Sequence, residues 1–334
     1  MASPQSLTLT PQGLYCPDGD FYIDPWRSVE CALVTHAHSD HARAGSARYF
    51  SAQPSVPLLE ERLSTSAPIQ GTPYGEKIKF KNAWVSFHPA GHILGSAQIR
   101  VETSKEVCVV SGDYKRDPDP TCSAFEVVPC DTFITEATFG LPHYSWDPTP
   151  KVAREILNWW EANRKRGLNS ILYCYSLGKA QRILAEIGKF TNDRILLHGA
   201  AAKLTQIYRD AGVTLPPTEE VKDAKKKQSF SGELILAPPG AGQGGWIEQF
   251  KEYRTAFASG WMAVRGAKRW RGYDRGFVVS DHADWPSLIR TVEETGARNI
   301  FATHGSSEIL SRYLKEKGLN ANVLRTEYGG KDAE

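Results

Sequence analysis

The sequence predicts an α/β protein, and three observations carry that prediction. Apolar runs of four or five residues recur along the chain, too short for helices and bounded by turn formers. Between the middle runs lie segments whose apolar residues repeat at helical spacing. Polar clusters stand directly after several runs, at the carboxyl ends of strands where α/β sheets build ligand sites.

The first candidate strands are "CALV" (31–34), "AWVSF" (83–87), "AQIRV" (97–101), "VCVV" (107–110) and "TFIT" (132–135). Thr149-Pro150 then reads as an N-cap and first helical position, with Val152, Ile156, Leu157 and Trp160 following at helical spacing. "SILYC" (170–174) is the next strand, and a second helix starts near Gly178 with Ala180, Ile183, Leu184 and Ile187 on one face. "RILL" (194–197), "LILA" (234–237), "FVVS" (277–280) and "NIFA" (299–302) complete the set. Asp223–Lys227 and 238–245 read as exposed loops, and the chain has no internal repeat.

With 334 residues, 41% of them hydrophobic, the chain can bury a substantial core, as one large domain with an insertion or as two domains. A net charge of +2 excludes a wholly basic nucleic-acid scaffold but leaves room for a local patch. The opening "MASPQSLTLTPQGLYCPDGD" has no basic segment followed by an apolar stretch, so no secretory signal is expected. No apolar run is long enough to span a bilayer. The six cysteines form no C-x-x-C pair, and several lie inside apolar runs. They read as buried free thiols of a reducing compartment rather than as disulfides or metal ligands. A cytoplasmic protein without membrane association is expected.

Five polar clusters deserve weighing together: "THAHSDH" after "CALV", "SGD" after "VCVV", "TEATFG" after "TFI", "SDHAD" after "FVV" and "THG" after "NIFA". Six of the nine histidines fall in such clusters or in glycine-flanked turns: His36, His38, His41, His92, His282 and His304. A lone histidine is usually a satisfied core or surface residue. A dense H-x-H-x-D-H is different, because a purely structural role requires four buried polar side chains to be satisfied without a cation. Imidazole and carboxylate together suit divalent zinc or manganese.

H-x-H-x-D-H at the end of an early strand resembles the signature of the metallo-β-lactamase fold, as do the "GH" turn at His92 and "SGD" at Asp113. "TEATFG", "SDHAD" and "THG" resemble the β-CASP nuclease branch of that fold. Within the branch, "LYCPDGDFYIDPWRSVECALVTHAHSDHARAG" and the compact length most resemble ligase-associated DNA exonucleases. The resemblance implies a metallo-β-lactamase αββα sandwich from residues 1–145 and 276–334, interrupted by a β-CASP α/β cap at 146–275. It implies two divalent ions, zinc and/or manganese. His36, His38 and His92 fall on one, Asp40, His41 and His304 on the second, and Asp113 bridges them. Glu136 and His282 have no ligand slot and pair beside the metals, which with Asp40 makes them the catalytic candidates. A carboxylate fixes an imidazole's tautomer and raises its pKa, favouring proton donation to a leaving oxygen. The alternatives are a strand-end cap or surface acid for Glu136 and a structural histidine for His282. Asp284 either orients His282 or caps a helix starting at Trp285-Pro286, and the cap is preferred.

The stretch between Glu136 and His282 has its own strand–helix alternation, which small-molecule hydrolases of this fold do not need. A cap closing over a two-metal face makes a groove for a polymer. Ser176, Gly178 and Lys179 in "CYSLGKAQR" form a turn entering a helix, where free N–H groups favour phosphate. His198 in "LLHGA" and Ser259 in "ASGWM" are further phosphate candidates, and for each an ordinary cap or turn role is equally available. Residues 261–275 interleave five basic residues, among them Arg269 and Arg271, with Trp261, Trp270 and Tyr273. That pattern suits a single strand, the alternative being a solvated basic loop. The expected function is a two-metal exonuclease acting at DNA ends, 5′-directed, in repair, with a DNA ligase and associated repair proteins as partners. An RNA-processing β-CASP ribonuclease, a small-molecule metallo-hydrolase and a binding module with a degenerate site are the rivals. His88 and His143 are unassigned.

Overall fold

A computed structural model of the chain describes residues 4–63, 68–226, 230–243, 245–264 and 272–327. The chain divides into two compact units, one formed by residues 1–145 with 282–334 and the other by 146–281.

The first unit holds two mixed sheets. One has six strands in the order Thr8–Thr10, Gly13–Cys16, Phe21–Ile23, Ala32–Leu33, Tyr49–Ala52, Ile69–Thr72. The other has seven, in the order Asn320–Val323, Asn299–Thr303, Thr132–Glu136, Val107–Val110, Ala97–Glu102, Ala83–Pro89, Ile78–Phe80. The unbroken apolar runs of the second sheet follow from its two covered faces. Side chains alternate between faces along a strand. Cys108, Val110, Ile134 and Phe301 therefore meet Phe21, Ile23 and Leu33 of the first sheet. Val109, Phe133, Ile300 and Ala302 meet Leu288, Val292, Leu310 and Leu314 of helices Trp285–Thr295 and Ser307–Glu316. Burying a side chain of this kind contributes about 1.5–3 kcal/mol. Helix Val56–Leu63, with Leu58, Leu59 and Leu63 buried, packs against strand Ile69–Thr72 of the first sheet. The layers read helix, sheet, sheet, helix, the expected αββα order.

The second unit is a six-stranded sheet, parallel throughout, in the order Thr218–Glu220, Ile195–Leu197, Leu234–Ala237, Asn169–Tyr173, Tyr253–Ala258, Arg275–Phe277. Its faces are buried by two separate cores, the usual condition of a parallel sheet. Leu172, Leu234 and Ala256 pack with helices Thr149–Arg164 and Lys179–Gly188 on one side. Ile171, Ile235 and Phe257 pack with Val221, Ala224 and Phe250 on the other.

The strand expected at 277–280 is corrected: it runs from Arg275 to Phe277 and stops. Its neighbour ends at Ala258, where Ser259 caps a short 3-10 helix, so residues after Phe277 find no ladder to join. All six cysteines are free thiols. Among the described residues, no helix is long and apolar enough to cross a membrane.

Candidate metal centre

Strand direction assembles the site. Val107–Val110, Thr132–Glu136 and Asn299–Thr303 run parallel, so Asp113, Glu136 and His304 emerge at one edge of their sheet. Ala83–Pro89 is two antiparallel steps from Val107–Val110 and points the same way, delivering His92 after its end. In the facing sheet Phe21–Ile23 and Ala32–Leu33 are parallel and end at Asp24 and at the turn carrying His36, His38, Asp40 and His41. His304 itself has a left-handed backbone, with φ of 61°, and is followed by Gly305 at φ 45°. A side chain at Gly305 would meet the Ala137 carbonyl oxygen at 2.3 Å, which explains the T-H-G sequence.

Three donor groups result: His36, His38, His92 and Asp113; His41, Asp113 and His304; and Asp113, Glu136 and His282. Nε2 of His36 and of His92 each lie 3.1 Å from Nδ1 of His38. Asp113 Oδ2 is 3.4 Å from His36 Nε2, 3.6 Å from His41 Nε2 and 3.8 Å from His92 Nε2, while its Oδ1 is 4.0 Å from His304 Nδ1. Asp40, expected among the second group, reaches it through His41 Nε2 at 3.7 Å.

Proton placement follows from the hydrogen bonds. Thr35 Oγ1 donates to Asp24 Oδ2 at 2.6 Å, so it accepts from Nδ1 of His36 at 3.1 Å. His41 Nδ1 likewise donates to Asp24 Oδ2 at 2.7 Å. Both imidazoles are thereby turned with Nε2 toward Asp113, the orientation a carboxylate or hydroxyl imposes on metal-ligating histidines. His282 Nδ1 donates to Glu136 Oε2 at 2.9 Å, and Glu136 Oε1 accepts from the Tyr114 backbone N–H at 2.7 Å.

The donor set fits divalent ions. The His36 and His92 nitrogens each stand 3.1 Å from that of His38, the spacing that ~2.0–2.1 Å metal–nitrogen bonds require between neighbouring ligands. Electrostatics agree. Burial pushes the His41 imidazole down, but Asp113, Asp40 and Asp24 together outweigh it and hold its pKa well above the usual histidine value. Burial would raise Asp113 and Asp40, yet the surrounding histidines, His41 foremost, hold both below the ordinary carboxylate range. Burial, then His36, His282 and His38, pushes His92 well down, which leaves its nitrogen as a neutral donor. Three carboxylates, Asp24, Asp40 and Asp113, stand within 3.7 Å of the His41 ring nitrogens, marking a site short of positive charge.

The substrate candidates fare differently. Ser176 lies in the turn after strand Asn169–Tyr173, its Oγ buried without a hydrogen-bond partner. His198 Nδ1 accepts from Ala200 N–H at 3.1 Å and caps helix Gly199–Asp210. Two assignments are corrected. Lys179 is buried, with its ammonium 3.6 Å from Asp281 Oδ2 rather than at an open anion site. Ser259 is completely buried and accepts from Trp261 N–H at 3.3 Å. Arg269 and Arg271 lie outside the described residues. Asp284 takes the preferred role and accepts from Ser287 N–H at 3.0 Å, capping helix Trp285–Thr295. Sequence reasoning missed Asp24, although it obeys the rule that found the others: an acid directly after the apolar strand Phe21–Ile23.

No protein-family model matches the chain. A protein of Opitutus terrae named a probable DNA ligase is 30% identical over 311 residues, covering 92% of this chain and 30% of that protein. An RNase J-like protein of Methanocaldococcus jannaschii is 23% identical, covering 80% of this chain and 79% of its own length. Endoribonuclease YSH1 of Eremothecium gossypii is 26% identical, covering 86% of this chain and 44% of that protein. The chain is a relative of the β-CASP metallo-β-lactamase proteins. A solved structure from Enterococcus faecalis V583, described as a protein of unknown function, covers 90% of this chain and 80% of its own with a TM-score of 0.60. At 12% identity that likeness is one of fold. The chain spans 30% of its ligase-named relative's length.

Proposed function

We propose that the chain is a metal-dependent phosphodiesterase that trims DNA from 5′ ends in repair. The observation that carries this reading is that Asp113 belongs to all three donor groups, as a carboxylate shared by two ions would. On this reading His36, His38, His92 and Asp113 hold one divalent ion, zinc or manganese. Asp113, Asp40, His41 and His304 hold a second. Such ions, when bound, supply Lewis acidity toward a phosphodiester. Asp24 and Thr35 keep the imidazoles oriented. Glu136 stabilises the His282 imidazolium through Nδ1–H, and the Nε2 proton goes to the leaving oxygen. Residues 146–281 act as the cap, with Ser176 and His198 as phosphate contacts and Arg269 and Arg271 holding the strand.

DNA is preferred because the relative named a probable DNA ligase matches nearly the whole chain within a longer protein. That also makes a DNA ligase the proposed partner. The RNA-processing reading is favoured by the relatives named RNase J-like protein and endoribonuclease YSH1. End-labelled single- and double-stranded DNA and RNA, digested with zinc, manganese or magnesium and again after chelation, separate the two. Stepwise metal-dependent shortening of DNA from its 5′ end is expected. Faster loss of RNA would transfer the activity to the ribonuclease reading, and no cleavage of any strand by metal-loaded protein would refute both.

A further inference from the structure

Strands Val107–Val110 and Thr132–Glu136 run side by side, and the chain leaves the first at Ser111, whose N–H still donates to the Ile134 carbonyl at 2.9 Å. Gly112, at φ 55°, turns it: a Cβ there would meet the Thr35 side chain at 2.7 Å. The three residues that follow each reach a different part of the site. Asp113 is the shared carboxylate. Lys115 N–H donates to the carbonyl of Ala90, two residues before His92, at 3.0 Å. Between them, Tyr114 gives both of its main-chain polar groups to the Glu136–His282 pair. Its N–H donates to Glu136 Oε1 at 2.7 Å. Its carbonyl accepts from the N–H of Ala283, the residue after His282, at 2.7 Å.

Buried main-chain groups must pair with something, so the choice of partner is what carries information. Glu136 is 1% exposed, and a carboxylate so deeply buried is costly unless it is hydrogen-bonded. Its Oε2 takes the His282 Nδ1–H at 2.9 Å, and its Oε1 takes the Tyr114 N–H in a charge-assisted bond, roughly twice as strong as a neutral one. His282 is thus held twice, by its ring through Glu136 and by its chain through Ala283, and both routes end on one residue. That residue is itself fixed: the Tyr114 ring is fully buried, 5.1 Å from Phe125 and 6.5 Å from Phe133. All of these groups belong to the first unit. We propose that Tyr114 is a positioning residue, whose N–H and carbonyl set the Glu136–His282 pair in register with the carboxylate of Asp113, one residue before it. The inference rests on the reading of His282 as the proton donor.

The test deletes one main-chain donor at a time and leaves every side chain in place, by exchanging an amide for an ester in the full chain. The α-hydroxy analogue of tyrosine at position 114 removes the N–H that holds Glu136. That of alanine at position 283 removes the N–H that holds the Tyr114 carbonyl. Metal content should stay near that of the parent, with melting temperature only slightly lowered. The Nδ1–H proton of His282, read by NMR in ¹⁵N-histidine protein, should shift or broaden. Turnover of DNA should fall by up to ~10²-fold, as for a catalytic group displaced by about 1 Å, with KM unchanged. A nitrophenyl phosphodiester, whose leaving group needs no proton, should be cleaved nearly as fast as by the parent. Should the ester at position 114 not fold, the one at 283 carries the test alone. An unmoved signal in the folded variants overturns the proposal. So does equal slowing of both substrates with loss of metal, which would make the segment a support of the ions. A moved signal with unchanged turnover of DNA leaves His282 positioned as proposed and overturns its role as the acid.

Discussion

The two units carry the same kind of sequence signal and put it to different use. In both, polar residues follow apolar strands. In the first unit, His36, His38, His41, His92, Asp113 and His304 turn toward one another and converge on shared points. In the second, Lys179 is committed to Asp281 and Ser259 to Trp261. Those bonds complete a buried ion pair and an ordinary helix start. The difference lies in what the neighbours are. Donors surrounded by other donors leave a shortage of positive charge, whereas donors surrounded by backbone N–H groups are already satisfied.

The sharpest way to break that contrast is at Asp113. Asp113→Ala should abolish nuclease turnover and release much of the bound metal, because this carboxylate lies within 4.0 Å of histidines from two donor groups. Metal analysis beside an activity assay checks it, and a fully loaded, active variant would end the shared-carboxylate reading. His282→Ala should keep its metal while turnover falls by ~10²–10⁴, the usual worth of a general acid. A nitrophenyl phosphodiester, whose leaving group needs no proton, should restore much of that rate. Metal loss in this variant, with no such recovery, would make His282 a ligand instead.

Asp24→Asn probes orientation rather than coordination. Loss of the charge that holds His41 Nδ1–H should weaken metal binding by about 10–100-fold, measured by competition with a chelator. The smallest effect belongs to the second unit. Ser259→Ala should lower stability by about 1 kcal/mol, the typical cost of a lost cap, and leave KM for DNA unchanged. A raised KM with unaltered melting would put Ser259 back at the substrate and weaken the contrast between the units.

H-x-H-x-D-H was legible because its members are close in the chain: one turn after one strand brings them together whatever the rest does. The α/β class was legible for a similar reason, since periodicity is local. Asp24 was not picked out, because a single acid after "FYI" gains meaning only when the parallel strand Ala32–Leu33 brings Thr35 and His41 beside it. Lys179 misled in the opposite direction. A lysine after glycine at a helix start has the same local form whether its ammonium meets a phosphate or a buried aspartate 102 positions later. The length of strand Arg275–Phe277 was equally nonlocal, being limited by where its neighbour ended. The sequence by itself determined the donor types, the local turn that clusters them and the alternation that builds two-faced sheets. Which polar groups meet one another, and which are spent on caps and ion pairs, was decided only by the tertiary structure. Hydrogen bonds and ion pairs act over a few ångströms, and distance along the chain does not report distance in space.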